Sequence, residues 1–150
     1  AANLKNAKLH RAVLYRCRAK KTDFSNTTLT QANLVEANLS GANFSQANLK
    51  ESNIEGAILT DSTLKNADLS EVNLTGAFLA NANLSGANFT NSELIAADMT
   101  GSDLTEVNFH NTYLNHADLS GANLRNANLC NSNLPLASLN GADLAGADLS

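Results

Sequence analysis

The sequence predicts an all-β solenoid: one domain over residues 1–150, wound as a four-sided coil of about 7.5 turns and forming a rod about 36 Å long. Three observations predict it. A five-residue unit runs from end to end without an insertion or deletion. All eight Gly fall in one register of that unit. The largest core residues and the rarest departures recur at a separation of 20 residues.

The unit is built from four preferences. The positions Leu4, Leu9, Leu14 and onward to Leu149 hold Leu, Phe, Ile or Met in 29 of 30 cases, with Ala19 the exception. Two residues earlier, 19 of 30 positions are Ala and the others are Ser, Thr, Val or Cys17. Between these two sites, 20 of 30 positions are Asn or Asp, and 13 of the 30 positions after the large residue are Ser or Thr. An α-helix would carry a five-residue spacing around its axis by about 140° per unit, so no single face results. A continuous strand would send successive large residues to opposite faces. Ala and the large residue are two apart, however, so a short extended stretch points both the same way. The remaining residues must turn the chain before the next pair. Gly restricted to one register suits a corner with positive φ, and Asn and Asp tolerate turns.

Four sides of five residues place residues 20 apart in adjacent coils, about 4.8 Å apart. Phe24 and Phe44 form such a pair, as do Phe89 and Phe109. So do Ile58 and Phe78, two large apolar residues in the register otherwise dominated by Asn. Asn33, Asn53 and Asn73 are expected to stack outside the core.

Units such as Ala82-Asn83-Leu84-Ser85-Gly86 and Ala122-Asn123-Leu124 match the consensus A(D/N)LXX, and the whole chain resembles the pentapeptide-repeat family. The resemblance implies a right-handed quadrilateral β-helix with the Leu/Phe and Ala registers inside. Departures gather at Val13 to Lys21, where Ala19 is expected to leave a gap or a local distortion. Family members occur in bacteria, especially cyanobacteria, and in plant chloroplasts. A cytoplasmic location is favoured, with chloroplast or thylakoid lumen open after processing.

No catalytic constellation stands out, and the chain is read as non-enzymatic, with no cofactor, metal or small-molecule substrate. Each Gly is isolated, so no phosphate loop forms. The glycosylation-like triplets at Asn38, Asn43, Asn73, Asn83 and Asn88 follow from the repeat itself. His110 and Cys130 share a side in adjacent coils, but two ligands fall short of a zinc site. Cys17 occupies the inward small register and is expected to be a buried hydrophobe, while Cys130 points outward. More than five coils separate them, which precludes a disulfide. No apolar run reaches membrane-spanning length.

Three features break the pattern. Residues 1–21 form an irregular basic collar of Lys5, Lys8, Arg11, Arg16, Arg18, Lys20 and Lys21 without one acid, whereas the remaining 129 residues carry 3 basic and 14 acidic groups. The collar offers either a docking surface for an acidic partner, an anionic membrane surface or nucleic acid, or protection of an open β edge. Aromatic interleaving is absent, which disfavours direct nucleic-acid binding. The outward apolar residues are the second feature: Ile58 and Phe78, with Ile95 near the adjacent corner, and Val13, Tyr15, Val35, Tyr113 and Leu136 on the side centred on Leu14. Third, both ends lie inside repeats with no obvious cap, so the rod is expected to continue or to associate end to end or as a dimer.

The reading is a rigid repeat scaffold that binds an unidentified protein, with Ile58, Phe78, Ile95, Tyr15 and Tyr113 as the candidate surface. The resemblance supplies an alternative, because some family members mimic DNA and inhibit type II topoisomerases, conferring quinolone resistance. The 14 acids, however, divide as four each on the sides centred on Leu4 and Leu9 and three each on those centred on Leu14 and Ala19. That spread argues against a DNA-like strip.

Overall fold

The computed structural model describes residues 2–150. Parallel bridges join residues 20 apart throughout, from Asn3–Asp23 to Asn128–Asp148, always in the Asn register. Each five-residue unit is therefore one side of a square coil. We name the four faces by their first central residue: Leu4, Leu9, Leu14 and Ala19.

The unit beginning at Ala32 shows where its backbone amides go. The amides of Leu34 and Glu36 donate to the carbonyls of Asn53 and Glu55 at 2.7 and 2.8 Å, and that of Asn33 donates to Ala12 in the coil below at 2.9 Å. The amide of Ala37 closes the corner on the Leu34 carbonyl at 3.0 Å. Only the Val35 amide lacks a main-chain acceptor; the Asn33 side-chain oxygen takes it at 3.1 Å. This explains the Asn/Asp register. All but one of its twenty members accept the amide two residues on. The exception is Asn133, whose residue two on is Pro135, the one residue with no amide hydrogen to place.

Every residue of the fifth register from Asn6 to Gly146 has positive φ, in line with a corner whose third residue must be left-handed. Gly and Asn fill much of this register. Leu136, at φ 60°, is the least suited to it, and Pro135 before it supplies the fixed φ that the second corner position favours.

The core is a stack of Leu, Phe, Ile, Met and Ala, at most 2% exposed from Phe24 to Leu129. Phe24 and Phe44 stack with ring centroids 4.7 Å apart and planes within 1°, and Phe89 and Phe109 lie at 5.2 Å, tilted by 31°. Where the Ala register holds Thr27, Ser102 or Thr112, the hydroxyl donates to a core carbonyl at 2.7 Å. That satisfies a polar group that burial would otherwise penalise.

Two local expectations need correction. Ala19 does not distort the coil: its amide reaches the Asn38 carbonyl at 2.8 Å, and Arg18 bridges Asn38. The ladder is main-chain and tolerates a missing side chain; even the corner bond from Thr22 to Ala19, at 3.3 Å, is close to the 3.2 Å of the corners at Thr27 and Ser102. Cys17 is half-buried rather than buried, because it belongs to the first described coil, where the core layer is covered on one side only. That partial burial still pushes its thiol pKa up. Asn33, Asn53 and Asn73 do stack in bridged register, but their side-chain oxygens serve their own corners. The cross-coil side-chain ladder lies on the Leu9 face, where Asn128 donates to Asn108, Asn108 to Asn88 and Asn88 to Asp68 at 3.0–3.3 Å.

Candidate functional site

The Asn/Asp register is structural, so residues that break it give up an amide acceptor. Two consecutive coils of the Ala19 face break it with large apolar side chains, Ile58 and Phe78. They bridge each other directly, and Phe78 is 48% exposed while Ile58 is half-buried beneath it. The amides of Thr60 and Ala80, two residues on, find no acceptor among the described residues. The equivalent amides one coil below and one coil above this pair are closed: Ser40 donates to Asn38 and Thr100 to Asp98. Ile95 accepts the Gly76 amide at 2.8 Å, which sets it one coil above Thr75 and Gly76, across the corner from Phe78. A Cβ on Gly76 would meet nothing within 4 Å, so the corner that precedes Phe78 is open.

The structure does not join the other candidates to this patch. Tyr15 belongs to the first coil, with the Arg16 guanidinium 4.9 Å from its ring centroid. Tyr113 lies nearly five coils away from Tyr15, about 24 Å along the rod. It lines a shallow groove with Asn91, Asn111, Asn131 and Asn133.

The collar side chains are all exposed and circle the coil rather than converging on one spot. Lys5 is on the Leu4 face, Lys8 and Arg11 on the Leu9 face, Arg16 on the Leu14 face, and Arg18, Lys20 and Lys21 on the Ala19 face. Two of them are engaged with the next coil. Arg16 pairs with Glu36 at 2.6 Å, and Arg11 donates to Gln31, which donates to Glu51, each at 2.7 Å. Lys50 and Arg125 take Glu71 and Asp143 at 3.1 and 2.9 Å. These pairs are exposed, so each adds little stability.

The Asx corners also tune carboxylates. The Ser25 amide holds Asp23 below the usual carboxylate range, and the Ser150 amide does the same for Asp148. A depressed folded-state pKa contributes stability that is present above the unfolded value and lost as pH falls through the folded one. Thermal stability is therefore expected to fall below about pH 4. Replacing both residues by Asn keeps the acceptor and removes the titration, so melting curves of that variant should show a smaller acid-induced drop.

Among the described residues, no three His, Cys, Asp or Glu side chains converge as metal ligands, and no helix is long and apolar enough to cross a membrane. His110 and Cys130 share the Leu9 face as expected, with the Cys130 sulfur 3.3 Å from the Ser150 hydroxyl.

Family models described as pentapeptide repeats, in eight copies, match segments spanning residues 67–150, and one described as a pentapeptide repeat region matches residues 1–74. No curated protein matches the chain. Among solved structures, a pentapeptide repeat protein of the Arabidopsis thaliana thylakoid lumen is 32% identical, over 69% of this chain and 68% of its own, with a TM-score of 0.52. Trypsin-treated QnrB1, a plasmid-mediated fluoroquinolone resistance protein, is 21% identical over 90% of this chain and 68% of its own, with a TM-score of 0.60. HetL, a protein of heterocyst differentiation regulation from the cyanobacterium Nostoc, is 29% identical over 97% of this chain and 84% of its own, with a TM-score of 0.37. The four-sided coil is the right-handed quadrilateral β-helix of the pentapeptide-repeat proteins, as in the Arabidopsis and QnrB1 structures. The chain belongs, over its whole length, to the pentapeptide-repeat family.

Proposed function

We propose that this repeat scaffold is a non-enzymatic, rigid rod that binds another protein through the Ile58–Phe78 patch. One observation carries the reading: two large apolar side chains take the place of an amide-capping Asn or Asp in consecutive coils. An exposed aromatic ring is a common anchor for a partner. Tyr15 and Tyr113 are separate minor features, and the collar supplies no single surface. The topoisomerase-inhibiting alternative gains no specific support. The acids lie on all four faces, and Glu36, Glu51, Glu71 and Asp143 face basic side chains instead of forming a strip. Affinity capture with the chain and with its Phe78→Asn variant, read by mass spectrometry, tests the proposal. A partner retained by the chain and lost by the variant supports it; equal retention rejects it.

A further inference from the structure

The chemistry around Phe78 restricts what can bind there. The amides of Thr60 and Ala80 are unused donors in the same register of adjacent coils, about 4.8 Å apart. Four carboxylate residues occupy neighbouring positions, on the flanking coils of this face and on the adjacent Leu14 face. Asp98 bridges Phe78 from the coil above, and Asp61 donates its amide to the Ala80 carbonyl at 3.1 Å from the coil below. On the Leu14 face, the Glu93 carbonyl accepts the Leu74 amide at 2.7 Å, and Glu55 lies one coil below Thr75. None of the four is in an ion pair among the described residues. Beyond Lys21, neither the Leu14 face nor the Ala19 face carries a Lys or Arg.

Free amide donors would ordinarily accept an anion, but these carboxylates repel one. A neutral carbonyl oxygen is the acceptor that suits both the donors and the field. The same carboxylates, unpaired and close to an apolar surface, favour Lys or Arg on whatever covers Phe78. We infer that the patch receives a basic and apolar peptide segment of another protein. A large apolar side chain packs on Ile58 and Phe78, main-chain carbonyls accept from Thr60 and Ala80, and flanking Lys or Arg side chains meet Glu55, Asp61, Glu93 and Asp98. The inference rests on the contact reading above and adds the chemistry of the partner.

A displayed library of random peptides, selected on the immobilised chain after subtraction on the Ile58→Asn/Phe78→Asn variant, tests it. The variant restores the register, so it retains the fold. The enriched peptides are expected to combine a large apolar residue with Lys or Arg. Their affinity should weaken as salt rises and drop at least about tenfold on the variant. They should also shift the amide resonances of Thr60 and Ala80. Enriched peptides that are acidic or uncharged, or that leave those two amides unmoved, overturn the inference and leave the contact site standing. Failure to enrich any peptide over the variant overturns both.

Discussion

Phe89→Ala is expected to lower the free energy of unfolding by about 4 kcal/mol. Phe89 is fully buried and packs against Phe109 at a tilt of 31°, so truncation removes a ring from the centre of the rod and uncovers part of its neighbour. Main-chain ladders above and below hold the coils at a fixed spacing, so the walls cannot close on the cavity. Each coil is stabilised mainly by its neighbours, and a weakened layer in the interior also loosens the coupling between the two halves of the rod. Denaturant unfolding should show a lower midpoint and a broader transition. A loss below about 1 kcal/mol would mean that the coil repacks and that the stacked core is not rigid.

Phe78→Asn is expected to act in the opposite way, although it also removes a Phe. Its ring is half exposed and stands outward in the coil next to Ile58, so little core packing is lost. The new Asn can accept the Ala80 amide, as Asn83 accepts that of Ser85 at 3.0 Å. A corner hydrogen bond of this kind is worth about 1 kcal/mol, comparable to the outward side-chain contact that is lost. Stability should therefore stay within about 1 kcal/mol of the parent. Partner affinity should fall by about 2 kcal/mol or more, about thirtyfold in Kd, as for an aromatic anchor. The two substitutions thus separate the role of a Phe that holds the rod from one that serves a surface.

The coil was legible from the sequence because its period is rigid. One misplaced residue would rotate every later unit, and the 20-residue separation of Phe24–Phe44, Phe89–Phe109 and Ile58–Phe78 pointed to four sides. The outward Asn register was legible only in part. Asn and Asp read as turn-tolerant residues, whereas their main duty is to accept the one amide that the ladder leaves over. Pro135, the only Pro, sits at that amide position, and this was the available signal. The partial burial of Ile58 was not legible, because adjacent coils lie closer than the width of a large side chain, and each outward residue is flanked by those above and below. The distortion expected at Ala19 failed for a related reason: the backbone ladder, not side-chain volume, fixes the path. The candidate surface was read as a set of outward apolar residues. The period already set Tyr15 and Tyr113 on the side centred on Leu14, apart from Phe78. That the Thr60 and Ala80 amides are left open was not legible.

The break in the register at Ile58 and Phe78 is the proposed contact site. A photo-crosslinking residue placed at position 78 of the chain, and separately at position 113, tests it most directly in a lysate of the source organism. A discrete adduct with one protein is expected from position 78 and none from position 113. Adducts of equal yield from both positions, or none from position 78, would contradict it.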